Sequence, residues 1–227
     1  GQISTSDFYA AIDPLSGNHD VDVEELEEMS FEYDEETHIL KLDETIREAS
    51  QLDCSDMDLE EFDIEPRKAC LFVASLDLSG NNIEDPSKFL NHFLFLRVLN
   101  LSGNPIKNVV ESFTNIRFVT DLDLSFVTLQ NQDLSKMCFP RLQRCNMENC
   151  EMTIIPKWSW CSETLIELNL SENNIDSLEN LAGYETLEQL DLSSNPVSSS
   201  SSTKQYKDNV LSMLPSLTIL DKSRVLN

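Results

Sequence analysis

The residues able to do chemistry in this chain are few and scattered. His19, His38 and His92 lie far apart, and no histidine and cysteine stand at the spacing a metal site needs. With 5 Gly in 227 residues there is no glycine-rich loop to cradle a phosphate, and no nucleophile motif is present. Acidic pairs are common, as at Glu24-Glu25 and Glu27-Glu28, but a solvated acidic surface accounts for them. These residue types predict no catalysis, no cofactor and no bound metal.

Charge says more. The formal net charge is −25, and it is unevenly placed. Through Glu65 there are 22 acidic residues against two basic ones, Lys41 and Arg47, leaving 19 acidic and 14 basic for the rest. A field of that sign repels phosphate backbones and anionic lipid and attracts basic proteins. Direct nucleic-acid binding is therefore not expected. No run of 18 apolar residues exists to span a bilayer. The start at Gly1-Gln2-Ile3-Ser4 shows no signal peptide, and with the stop at Val225-Leu226-Asn227 it reads as a piece of a longer protein.

The elements that position these residues emerge from an internal repeat. Leu76-Asp77-Leu78-Ser79-Gly80-Asn81-Asn82-Ile83 recurs from Leu99 to Ile106, from Leu168 to Ile175 and from Leu190 to Val197. Weaker copies surround Leu122-Asp123-Leu124 and Cys145-Asn146-Met147, and a degenerate first copy holds Leu52, Cys54, Met57 and Leu59. Anchored at Leu52, Leu76, Leu99, Leu122, Cys145, Leu168 and Leu190, the steps are 24, 23, 23, 23, 23 and 22. Each unit reads as a short strand with alternate leucines inward, then a bend whose Asn side chain bonds backbone groups that lack a ladder partner. One unit cannot bury its own apolar face, so neighbours must stack into a curved parallel sheet. Inward residues on the return path, such as Ile175, Leu178, Leu181 and Leu187, recur at about three-residue spacing, which predicts short 3₁₀ turns and loop on the convex side.

Cys54, Cys145 and Cys150 fall where the repeat wants a small buried group, and Cys150 stands in the place of the bend Asn. No cysteines cluster at the repeat ends, as they do in secreted repeat proteins. All six are expected reduced and the protein intracellular, cytoplasmic or nuclear, with cytoskeletal or ciliary association open. Glycosylation sequons at Asn100 and Asn169 sit inside predicted strands, which fits a compartment that does not glycosylate.

Residues 1–20 read as an irregular acidic arm. In residues 21–48, Phe31-Glu32-Tyr33 and Ile39-Leu40-Lys41-Leu42 flank an acidic turn and predict a β-hairpin cap. Repeats occupy 49–197. In 198–227, the serines from Ser198 to Ser202 predict a flexible loop, followed by a capping helix carrying Tyr206, Val210 and Leu214 and a last half-strand at Thr218-Ile219-Leu220. A chain capped at both ends is expected to be monomeric.

These residues resemble leucine-rich repeat proteins over roughly Ala49 to Asp221. Short repeats and the Tyr-x-x-x-Val…Leu-Pro-x-Leu-x-x-Leu-Asp ending are similar to the intracellular subgroup that includes the phosphatase 1 regulator, the spliceosomal A-prime protein, the acidic nuclear phosphoproteins and an axonemal dynein light chain. The acidic phosphoproteins carry their acidic stretch after the repeats, whereas here it precedes them. The resemblance implies an α/β solenoid that grips a protein partner on its concave face or rim.

On that face the strand residues flanking each anchor should project. Asp77, Asp121, Asp123 and Glu167 form an acidic centre suited to Lys or Arg side chains, with Asn100, Asn146 and Asn169 beside them. Val98, Phe126 and Arg144 depart from the small polar pattern and read as anchors. Trp158 falls on an inward slot, while Trp160 has none. The functional expectation is an adaptor or assembly subunit that binds a basic partner. The alternative is a chaperone-like binder of histones or ribosomal proteins through its acidic N-terminal region.

Overall fold

In the computed structural model the described residues are 32–34, 39–41, 50–63, 73–113, 116–130, 132–158, 161, 163–199 and 202–225. The expected arm at 1–20, Phe31, Leu42, Cys70 and Trp160 lie outside them. The chain forms two compact units, residues 1–119 and 120–227.

In the first unit, β3 (Gln51–Asp53), β5 (Ser75–Asp77) and β6 (Val98–Asn100) pair in parallel with the anchors in register, Leu52 beside Leu76 and Leu76 beside Leu99. A second sheet joins β1 (Glu32–Asp34) antiparallel to β2 (Ile39–Lys41), and β2 parallel to β4 (Glu61–Asp63). β4 lies on the return path of the first repeat, a pairing that the hairpin pattern alone does not foretell. The Lys88 ammonium meets the Glu61 carboxylate there at 2.8 Å.

In the second unit, β7 (Asp121–Asp123), β8 (Arg144–Asn146), β9 (Glu167–Asn169) and β10 (Gln189–Asp191) continue the same parallel pattern. β11 (Ile219–Leu220) adds in parallel to β10, and β12 (Ser223–Arg224) folds back antiparallel on β11. Asp221 and Lys222 between them take φ of 48° and 62°, the positive values a tight two-residue hairpin turn requires.

The strands are three residues or fewer because only the central one faces inward. Leu52, Leu76, Leu99, Leu122, Cys145, Leu168 and Leu190 are all buried, as are the residues two further on, Cys54, Leu78, Leu101, Leu124, Met147, Leu170 and Leu192. Burying each such side chain contributes roughly 1.5–3 kcal/mol. Return paths complete the core with Phe89, Phe93, Phe139, Trp158, Tyr184 and their neighbours. The Trp158 indole N–H donates to the Leu134 carbonyl at 2.8 Å, so its polar edge is satisfied inside the core.

The return paths are mostly loop, with 3₁₀ turns at Leu134–Lys136 and Leu181–Gly183. Single α turns at Ser87–Leu90, Val109–Ser112 and Pro196–Ser199 depart from what the three-residue spacing predicts. The serine run expected as a flexible loop is partly structured: Ser198 and Ser199 end the last of these turns. Ser202 caps the helix Thr203–Met213 by accepting from the Gln205 N–H. That helix buries Tyr206 and Val210. The fold is a parallel-sheet leucine-rich repeat solenoid with little helix.

Candidate ligand-binding face

Each strand is ended by the residue after its anchor. The Asp53 carboxylate accepts from both the backbone N–H and the hydroxyl of Ser55, at 3.0 and 2.7 Å. Asp77 with Ser79, Asp123 with Ser125, Asn169 with Ser171 and Asp191 with Ser193 repeat this turn. Asn100 and Asn146 accept the equivalent N–H of Ser102 and Glu148. This column therefore shapes the chain before it meets any ligand.

Its second oxygens bond along the column. In the first unit the Asn100 amide donates to Asp77 at 3.0 Å; in the second the Asn146 amide donates to Asp123 at 2.8 Å, and that of Asn169 to Glu148 at 3.0 Å. Three carboxylates of the face thus each accept from an amide on the neighbouring strand, while Asp53 and Asp77 stand side by side in register. Asp77, Asn100, Asp123, Asn146 and Asn169 are thus half-buried structural residues with one edge on the solvent side of the sheet.

Two of the residues before the anchors, Val98 and Arg144, are exposed. Val98 is 41% exposed in the first unit. In the second, the Arg144 guanidinium forms a close ion pair with Asp121, its register neighbour on β7. Glu167 lies beside Arg144 on its other side and accepts from the Gln189 amide at 2.7 Å. The acidic centre is therefore partly neutralised within the fold. What it presents outward is a mixed surface in which Arg144 is the exposed cation.

Phe126 is the largest departure from expectation. It does not lie on a strand beside Arg144. It occupies the corner four residues after the anchor, where the chain turns off the sheet with φ of 61°. The same corner has positive φ in every repeat: Asp56 at 51°, Gly80 and Gly103 at 66°, Asn149 at 52°, Glu172 at 57° and Ser194 at 58°. The reason is a shared hydrogen bond, in which the corner N–H donates to the neighbouring repeat: Phe126 to Glu148 at 2.9 Å, Gly80 to Ser102 at 2.9 Å. Gly80 and Gly103 carry this signal in the sequence. Phe126 is 56% exposed, so it does not bury itself on a neighbouring bend.

Behind the corner lies the Asn ladder. The Asn81 amide donates to the Cys54, Leu78 and Ser79 carbonyls, and its oxygen accepts from the Met57 and Leu59 N–H groups at 3.0 and 2.9 Å. Asn104, Asn173 and Asn195 act alike. Cys150 takes the role with sulfur, its thiol 3.1 Å from the Leu124 carbonyl; burial pushes that thiol up to about 12, which keeps its proton available. Cys54, Cys138, Cys145, Cys150 and Cys161 are free thiols, and Cys138 is exposed. Among the described residues no group of three His, Cys, Asp or Glu could hold a metal, and no helix is long and apolar enough to cross a membrane.

Comparison with known proteins agrees with this architecture. Residues 95–116 and 69–87 each match a leucine-rich repeat family model. Comparison with curated proteins finds no match. Among solved structures, the leucine-rich repeat domain of APL1 is similar at a TM-score of 0.58 and 21% identity, covering 81% of this chain and 52% of that one. Human 5T4, the Wnt-activated inhibitory factor 1 or trophoblast glycoprotein, gives 0.50 and 17%, covering 85% and 79%. An internalin from Listeria monocytogenes gives 0.47 and 18%, covering 74% of this chain and 59% of its own. At these identities the likeness establishes the leucine-rich repeat fold, a fold that generally mediates protein–protein contact.

Proposed function

We propose that the chain is a non-catalytic interaction module that holds a Lys- or Arg-presenting protein on the open face of its sheet, in the manner of the short-repeat intracellular subgroup. The observation that carries the reading is Phe126. An aromatic side chain in left-handed backbone costs about 1 kcal/mol relative to glycine, and leaving it exposed forgoes its burial as well. Neither cost benefits the isolated fold, so a partner that buries the ring explains it best. On the strands and bends of the same repeats Asp121, Asp123, Glu148 and Glu167 carry carboxylates for basic groups, and Arg144 carries a donor. The sequon asparagines support a compartment without glycosylation, since both Asn100 and Asn169 use their amide nitrogens as donors to neighbouring carboxylates.

The test is capture of partners by the chain at two salt concentrations, followed by titration of variants against the captured protein. Phe126→Ala should raise the dissociation rate by the equivalent of about 1–2 kcal/mol or more. Asp121→Lys with Glu167→Lys should slow association and weaken its salt dependence. Asp123 is left intact because it forms a turn. Lys107→Glu, on the return side, should change little. Normal binding by the face variants together with loss in Lys107→Glu would place the contact elsewhere.

A further inference from the structure

Away from the sheet, the core of the second unit is interrupted at Gln132. Ten residues beyond Leu76, Leu99 and Cys145 the chain buries Pro86, Val109 and Ile155. Leu178, half-buried, holds the same place after Leu168. After Leu122 the place falls to Gln132, whose side-chain amide donates to the Thr128 carbonyl of its own turn at 3.1 Å. A polar side chain bonded to its own backbone leaves the apolar slot unfilled. An open cleft of about 260 Å³ lies there, between residues 129–135 and 152–157. Hydrogen bonds at either end fix its walls: the Leu129 N–H donates to the Cys150 carbonyl at 3.0 Å, and the Trp158 indole N–H to the Leu134 carbonyl at 2.8 Å. Buried Leu129, Leu134 and Met152 form an apolar floor. On the rim stands Ile154, at 61% the most exposed large apolar side chain among the described residues. A slot whose walls are fixed in this way is preformed for an aliphatic group from outside.

The rim sets the chemistry of the rest of the ligand. On one wall Asp133 is held within its own turn, accepting from the Ser135 N–H at 3.3 Å and lying 3.5 Å from the Lys136 ammonium. On the other wall Lys157 is exposed and forms no ion pair among the described residues. Its ammonium is the group open to a new partner, and it calls for an anion. Exposed Gln130 and Thr153, one on each wall, add an amide and a hydroxyl able to bond a peptide group. We propose that the cleft receives the C-terminal residue of a partner polypeptide, an aliphatic side chain filling the slot that Gln132 leaves and the terminal carboxylate meeting Lys157. Lys157 favours a chain end over an internal residue, and the polar rim favours a peptide over a plain aliphatic acid. The cleft shares no residue with the open sheet face, so it stands independently of the reading built on Phe126.

NMR of the full chain with isotope-labelled methionine methyls tests this, the Met152 signal being identified by its loss in Met152→Leu. N-acetyl-leucine, which carries the side chain, the carboxylate and one peptide group, should move that signal and saturate at about millimolar concentration. N-acetyl-leucinamide, which lacks the charge, and isocaproate, which lacks the peptide group, should each bind about threefold more weakly. Lys157→Gln should weaken the acid by about threefold and leave the amide unchanged. Gln132→Leu should fill the slot from within and abolish the shift, with an unchanged circular dichroism spectrum showing the fold intact. A Met152 signal that does not move in the unsubstituted chain would overturn the proposal, as would a shift that survives Gln132→Leu. Equal binding of the amide would remove the chain end as the occupant, and equal binding of isocaproate would assign the cleft to a free aliphatic acid instead.

Discussion

The bend after Leu76 and the bend after Leu122 use the same backbone turn with opposite side chains. After Leu76 the corner is Gly80, at φ of 66°, where an added Cβ would collide with the Asp56 carboxylate, and the next residue is Asn81, buried and fully hydrogen-bonded. After Leu122 the corner is Phe126, exposed at φ of 61°, and the next residue is Val127, which has no amide to offer. The first bend is made for stability. The second gives up stability at two successive positions, and its ring points outward. Within one solenoid, the repeats that hold the fold together can therefore be told from the repeat that departs from it.

That contrast can be broken most severely at Asn81. Replacing it by alanine strands buried carbonyls and the Met57 and Leu59 N–H groups, and should cost about 3–5 kcal/mol. Chemical denaturation would register this, and a loss of only a few tenths would mean that water or a shifted backbone replaces the amide. Leu122→Ala removes a buried anchor, 3% exposed, and should cost about 2–5 kcal/mol. An unchanged midpoint would show that the register of this weaker repeat is not held by its leucine.

The far end of the second unit offers a pH-dependent comparison. Burial raises the Asp221 carboxyl above its ordinary value, although the Leu192 N–H and Tyr206 hydroxyl bind it. A carboxyl raised in the folded state is destabilising when ionised, so its penalty is present above the folded value and fades as pH falls towards the unfolded value. Asp221→Asn keeps the acceptor and tolerates the positive φ of 48°. The variant should be more stable than the parent near about pH 7, and the gap should close on acidification. A gap that is constant with pH would assign the effect to turn geometry instead of charge.

Much of the architecture is legible because period and burial coincide: the seven anchors and the residues two beyond them are all in the core, as their spacing requires. The face is less legible. Asp77 and Asp123 look like a recognition surface, yet each first serves its own chain by closing a turn on Ser79 or Ser125, a role that residue type alone does not separate from binding. Phe126 stands out by type, but the leucine pattern misplaces it, since a three-residue strand ends sooner than that pattern suggests. The glycines at 80 and 103 mark the true corner. Gln132 escapes a motif search because the slot it leaves open lies ten residues beyond its anchor, outside the motif itself.

The central claim is that Phe126 is kept at the expense of the fold, and the unfolding free energy of Phe126→Gly in urea tests it most directly. Glycine relieves the left-handed backbone, offset in part by its greater freedom in the unfolded chain. The variant should be more stable than the parent by up to about 1 kcal/mol. A variant less stable than the parent would contradict the account, because it would show that the ring is held by packing within its own fold and not retained for a partner.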